Sequence, residues 1–176
     1  MAQTTAFGFF SYARFDDRHE RGRLSLLRER LSGEVQIQTG QPFPIFQDQA
    51  DLLWGDPWQS RLQQAIDGTS FLIPILTPSF FRSTACRREV GRFLHRERRA
   101  PPFGEKGGAD RILPIYWVDA FALSHPAGLA GDPIARALAG RQWADWRSLR
   151  LEPPDSLAWD RAIIGLAQAL RERLHR

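Results

Sequence analysis

The sequence predicts an α/β fold, an open parallel sheet of about five strands with helices packed on both faces. Three observations carry this prediction. Short apolar runs at 6–12, 43–46, 71–77 and 112–118 have the length and composition of buried strands. Other segments carry apolar residues at three- and four-residue spacing, the period of a helix with one buried face. Runs of the two kinds alternate along the chain, as they do where helices cross over between parallel strands.

The elements follow in order. Ala6–Tyr12 (AFGFFSY) is an apolar-aromatic first strand. From Asp16 to about Leu31 the period changes: Leu24, Leu27 and Leu31 fall at helical spacing, and Gly33 is expected to cap the helix. Phe43–Phe46 is a short second strand. Asp56-Pro57 starts a helix with an N-cap acid and a first-turn proline; Trp58, Leu62, Ala65 and Ile66 share its inner face, and Gly68 ends it. Phe71–Thr77 is the third strand. Thr84 to about Arg98 is a helix with Cys86, Val90, Phe93 and Leu94 inward. Ile112–Val118 is the fourth strand, after a flexible loop at Pro101–Asp110. Asp155 caps a last helix with the stripe Trp159, Ile163, Leu166, Leu170 and Leu174. Segment 119–154 reads as loop-rich, with a short fifth strand near Ala144–Arg147. Pro74 and Pro114 stand inside strands that should be central, where proline removes a ladder donor, so both predict bulges or pairing gaps. The frame is flavodoxin-like.

A chain of 176 residues suits a single domain spanning 1–176. No apolar run approaches the ~20 residues of a membrane span, and the N-terminus lacks the basic and apolar regions of a signal peptide. The lone cysteine, Cys86, excludes an internal disulfide; together these features predict a cytoplasmic protein. Net charge is +4 and lysine contributes only Lys106. The arginines are scattered among acids, which argues against nucleic acid as a partner. Several chemistries lack their motifs. There is no GxGxxG or GxxxxGK[ST] loop and no GxSxG elbow. His19, His95, His125 and His175 have no metal-ligand spacing. Thr77 stands where a phosphoacceptor receiver would need aspartate.

In an open α/β sheet, ligands bind beyond the carboxyl ends of the strands. Those ends carry Ser11-Tyr12-Ala13-Arg14, Gln47-Asp48, Thr77-Pro78-Ser79 and Asp119. The helix after the third strand faces the same region with its first turns. On it Glu89 stands among Arg82, Arg87, Arg88 and Arg92. By periodicity it is either an ion-pair partner of Arg92 or another neighbour on a solvated face or a working carboxylate. Cys86 reads as a small buried residue, Trp58 as core, and Arg87, Arg88 and Arg92 as solvent-facing. Asp48 either caps its loop or shapes a site. Trp54, outside the helical stripe, suits a ligand or partner contact.

Three segments together resemble the Toll/interleukin-1 receptor (TIR) domain family in its bacterial form. Phe9-Phe10-Ser11-Tyr12-Ala13-Arg14-Phe15-Asp16-Asp17 resembles the family's opening "F-x-S-Y-x-x-x-D" box. Phe46-Gln47-Asp48 with Gly55 and Trp58 is similar to its "F-x-D…G-x-x-W" loop and helix. Thr77, Phe80, Ser83 and Cys86-Arg87-Arg88-Glu89 resemble "[S/T]-x-x-[Y/F]-x-x-S-x-W-C-x-x-E". Where that third box has tryptophan, this chain has Ala85.

The resemblance implies an NAD+ nucleosidase that cleaves the nicotinamide-ribose bond and gives ADP-ribose or a cyclic derivative. NAD+ is its substrate, and no cofactor is implied. By position Glu89 is the catalytic residue. Ser11, Tyr12, Arg14, Asp48, Trp54, Trp58 and Cys86 are the expected substrate-binding set. The resemblance further implies a role in bacterial anti-phage or immune signalling, self-association through the 47–57 loop and helix surfaces, and an attached or separate sensor module. The alternative is a non-catalytic module that only binds other TIR domains. A nucleoside deoxyribosyltransferase-like enzyme also uses a glutamate on a similar sheet, but the Asp48–Trp58 box argues against it.

Overall fold

The computed structural model describes residues 7–47, 71–99 and 111–174. Among these the strands are β1 (Gly8–Ser11), β2 (Ile45–Gln47), β3 (Phe71–Leu76), β4 (Ile115–Tyr116) and β5 (Ala144–Asp145). They form one parallel sheet of five strands in the order β2-β1-β3-β4-β5. The helices are α1 (Arg14–His19), α2 (Arg23–Thr39), α3 (Pro78–Arg82), α4 (Thr84–Arg99), α5 (Phe121–Ser124), α6 (Pro126–Gly131), α7 (Pro133–Ala139) and α8 (Leu157–Leu174), with a 3-10 turn at Leu149–Leu151. The predicted helix from Asp56 to Gly68 and the loop at Pro101–Asp110 lie outside the described residues.

Strand geometry divides the core into two layers, because successive side chains point to opposite faces. Phe10, Ile73, Ile75, Ile115 and Trp117 meet α2 and α8 on one face. Phe9, Leu72, Leu76 and Tyr116 meet α3, α4 and α7 on the other. A strand buried on both faces is apolar throughout, which is why β3 reads as a continuous run.

Four elements differ from the sequence expectation. The first predicted helix is two. Arg21 (φ 54°) and Gly22 (φ 79°) adopt left-handed backbone in succession, which a right-handed helix cannot contain. The second helix, α2, runs through Gly33 to Thr39 and is capped by Gly40 (φ 72°), whose N–H donates to the Gln36 carbonyl at 2.8 Å. Fully buried Val35 extends the Leu24–Leu27–Leu31 stripe. Burying it is worth more than the ~1 kcal/mol a mid-helix glycine costs.

The fourth strand is shorter than predicted. After an isolated Leu72–Ile112 bridge, pairing of β3 with β4 resumes only at Ile75–Ile115. Pro74 and Pro114 occupy the interval, which is therefore a pairing gap. Segment 119–154 holds three short helices and β5 rather than mainly loop. Two of them start at prolines, Pro126 and Pro133, behind caps from His125 and Asp132. All three are too short to show a period in sequence. Finally, Ser156 rather than Asp155 caps α8, its hydroxyl accepting from the Trp159 N–H at 3.3 Å. Among the described residues no helix is long and apolar enough to cross a membrane.

Candidate functional site

Two periodicities bring Ser11 and Glu89 together. On β1, Phe9 and Ser11 point to the same face, the one α4 covers, and Ser11 is buried. On α4 the buried stripe is Cys86, Glu89, Val90 and Phe93, spaced i, i+3, i+4, i+7. Glu89 is 3% exposed. The Ser11 hydroxyl donates to the Glu89 carboxylate across the two layers. Of the two readings, a solvated helix face is not where the acid stands: it lies within the packing stripe, where its desolvation costs several kcal/mol. Val90 and Phe93 seat the helix on the apolar face of the sheet.

Other contacts fix the helix and its neighbours. The Ser83 hydroxyl accepts from the Cys86 N–H at 3.2 Å and so caps the start of α4. Arg87 is not simply solvent-facing. Its guanidinium forks onto Asp132 at 2.6 and 3.1 Å and also donates to the Phe81 carbonyl at 3.2 Å. Asp132 meanwhile accepts the Ile134 and Ala135 N–H groups at the start of α7. Burial alone would raise the Asp132 pKa. The Arg87 fork, helped by the two N–H groups, outweighs burial and holds it below the usual carboxylate range. The same fork raises the Arg87 pKa. Thr77 caps α3 through the Phe80 N–H at 3.0 Å and donates to Asp16 at 2.5 Å, tying α1 to the end of β3.

Glu89 opens onto a cleft of about 760 Å³ at the carboxyl ends of β1 and β2. That volume lies in the range of small-molecule sites. Tyr12 forms one wall, half-buried, with its hydroxyl bonded to the Gln47 side-chain carbonyl. Burial pushes the Tyr12 pKa up and Asp17 adds to this, while Ser25, Arg28 and Arg14 oppose it. Cys86 lines the cleft beside Glu89 and is otherwise buried. Arg14 stands exposed at the mouth, and Ala85 is exposed on the α4 side.

Four of the predicted site residues therefore line one cleft, Tyr12, Arg14, Cys86 and Glu89, and buried Ser11 is joined to it through its bond to Glu89. Asp48, Trp54 and Trp58 lie outside the described residues. Gln47, read from sequence only as a strand end and part of the 47–57 loop, and Arg18, given no role, also line the cleft. Gln47 ends a parallel strand, and Arg18 stands one helical turn beyond Arg14, so both carried a usable signal. Among the described residues no group of three His, Cys, Asp or Glu side chains could hold a metal ion. The arrangement offers a desolvated carboxylate, oriented by a hydroxyl, at the base of a cleft with cations at its mouth. Such a group stabilises a developing positive charge or accepts hydroxyl protons of a bound ligand.

The family model described as "TIR domain" matches residues 9–161. Among solved structures, the chain is similar to the TIR domains of the activated Roq1 resistosome, which directly recognises the pathogen effector XopQ. Identity is 17% and the TM-score 0.50, with 93% of this chain and 84% of that chain covered. A second similar structure is the TIR domain of the Toll-related receptor TRR-2 from Hydra magnipapillata. There identity is 16% and the TM-score 0.46, with 89% and 96% covered. At 17% identity the likeness to the first is one of fold. No curated protein matches the chain.

Proposed function

The chain belongs to the TIR domain family, and from that premise we propose that it cleaves NAD+ at the nicotinamide-ribose bond, with Glu89 as the catalytic residue. The observation that carries this reading is the placement of Glu89, a buried carboxylate bonded to Ser11 at the base of a cleft. Burial makes the acid expensive to keep, and a functional demand accounts for the expense.

The reaction needs little apparatus. As the ribose C1′–N bond breaks, both electrons pass to the nicotinamide nitrogen, which becomes neutral, so no general acid is required. The ribose is left oxocarbenium-like, and the Glu89 carboxylate stabilises that positive charge, as acids do in glycoside hydrolysis. Ser11 holds the carboxylate in position. Tyr12, braced by Gln47, offers a ring face to a heterocycle, and Arg14 faces the pyrophosphate. Asp48, Trp54, Trp58 and Cys86 complete the proposed substrate-binding set. Water adds to C1′ and loses its proton to give ADP-ribose. Attack by an adenine nitrogen instead gives a cyclic product. The setting we propose is bacterial anti-phage or immune signalling, with the activity switched on by self-association through the 47–57 loop and by a sensor module.

NAD+ loss is to be followed for wild type and Glu89→Ala at high concentration, with an assembly trigger and matched melting temperatures. Loss is expected with wild type and at least 100-fold slower with the variant. Equal loss in both would refute a catalytic Glu89. One observation favours a second reading, a module that only binds other TIR domains: Ala85 leaves the α4 side of the cleft without an aromatic ring. Assembly of the wild type into dimers or filaments with NAD+ and NADP+ left intact would select that reading.

A further inference from the structure

The charged side chains of α1 divide by sign. Its acids are half-buried and engaged by neighbouring groups, although Asp17 also lines the cleft. Asp16 accepts the Thr77 hydroxyl at 2.5 Å. Asp17 accepts the Leu24 and Ser25 N–H groups at 2.9 and 3.1 Å and the Ser25 hydroxyl at 2.6 Å, capping α2. Its arginines are not engaged. Arg14 and Arg18 are exposed, both line the cleft, and neither side chain makes a hydrogen bond or ion pair among the described residues. Several other arginines are matched to acids, as in Arg30–Asp160, Arg141–Glu97 and Arg150–Glu20, and Arg82, Arg88 and Arg161 also lack side-chain partners among the described residues; Arg14 and Arg18 are set apart by lining the cleft.

Positions i and i+4 put the two side chains on one side of the helix, their Cα atoms about 6 Å apart along its axis. Like charges so placed repel each other, and a bridging dianion relieves that repulsion. The cleft therefore presents the Glu89 carboxylate at its base, the Asp17 carboxylate, held by the start of α2, in its lining, and two guanidinium groups without side-chain partners among the described residues. A ligand of matching pattern carries a positive centre and, some way off, two adjacent phosphates.

We infer that Arg14 and Arg18 together form a diphosphate subsite, with Arg18 the second cation that makes the cleft selective for nucleoside diphosphate compounds over nucleosides. This rests on the NAD+ reading for the identity of the ligand's positive end, and on the cleft alone for its phosphates. The guanidinium fork suits phosphate oxygens; burial withdraws Glu89 from them, and the Asp17 carboxylate is turned to the Leu24 and Ser25 N–H groups and the Ser25 hydroxyl.

The test is direct binding, so it does not depend on turnover. ADP-ribose and adenosine are titrated calorimetrically into wild type, Arg14→Gln, Arg18→Gln and the double variant, with melting temperatures measured in parallel. ADP-ribose affinity is expected to fall about tenfold for each single variant and about a hundredfold for the double. Adenosine affinity should be unchanged, and the salt dependence of ADP-ribose binding should weaken with each arginine removed. The inference is overturned if wild type does not bind ADP-ribose, if Arg18→Gln binds it as wild type does, or if adenosine affinity falls equally. Selective loss of ADP-ribose binding in a protein that leaves NAD+ intact would uphold the subsite and remove the cleavage reading.

Discussion

Replacing Trp159 with phenylalanine tests the packing that holds α8 on the sheet. Trp159 is fully buried in the first turn of that helix. Its ring lies edge-on to Trp117 and Trp146, with centroids 6.1 and 5.2 Å away. Its indole N–H donates to the Leu149 carbonyl at 2.7 Å, and Arg23 stands over its face at 5.1 Å. Phenylalanine keeps a six-membered ring but has no donor, so the Leu149 carbonyl loses its partner at a cost of about 1–2 kcal/mol. Weaker contact with the other two indoles adds about 1 kcal/mol. Together these come to about 2–3 kcal/mol. In a domain of this size each kcal/mol moves the melting temperature by about 2–4 °C, so Trp159→Phe should melt roughly 4–12 °C below wild type. Leu157→Ala is the control, since Leu157 is on the same helix and 61% exposed. It should shift melting by less than about 2 °C. Differential scanning calorimetry reads both. A Trp159→Phe protein that melts within 2 °C of wild type, or a Leu157→Ala protein equally destabilised, would refute the reasoning.

Other perturbations have calculable signs. The folded Asp132 carboxyl titrates below its usual range. The stability it contributes is therefore present above the unfolded value near ~4 and is lost as pH falls through the lower folded value. Asp132→Asn keeps the cap and removes the charge. It should melt about 2–4 °C below wild type at neutral pH and converge with it in an acid melting series, since the pair is partly exposed and worth about 1 kcal/mol. Glycines should split by the space around them. A Cβ at Gly33 meets nothing within 4 Å, so Gly33→Ala should raise the melting temperature by a few degrees through roughly 0.5–1 kcal/mol of helix stabilisation. A Cβ at Gly128 would overlap the Phe121 carbonyl and lie 2.8 Å from the Ala122 Cα, so Gly128→Ala should destabilise by about 1–3 kcal/mol on chemical denaturation.

The sheet was legible because buried parallel strands are continuous apolar runs, and β3 and β1 are such runs in the sequence. The stripe of α8 was legible because 18 residues sample the helical period several times. By contrast, α5, α6 and α7 complete two turns at most, and their starts rest on cap geometry that a sequence only hints at. Gly33 misled because a glycine at helical phase resembles a cap, and only the burial of Val35 reveals that the helix continues. At the site, the carboxyl-end rule located the cleft and β1's share of it. The burial of Glu89 was half legible. Its phase with Cys86, Val90 and Phe93 is in the sequence, but a charged residue at a core phase reads first as a surface one. Arg87 was misjudged for a related reason. Its partner, Asp132, is 45 residues away, and no local pattern announces a pairing at that distance.

The Ser11–Glu89 bond joins residues 78 positions apart that belong to different layers of the fold. During synthesis the strand bearing Ser11 emerges long before the helix bearing Glu89, and α4 can dock only when β3 has taken its place beside β1. Chemistry that needs both side chains is therefore silent in a nascent chain, in a chain truncated before α4, and in a proteolytic fragment carrying either half. Under the proposed reading, NAD+ cleavage would therefore depend on completed tertiary structure and be lost once the two layers are separated.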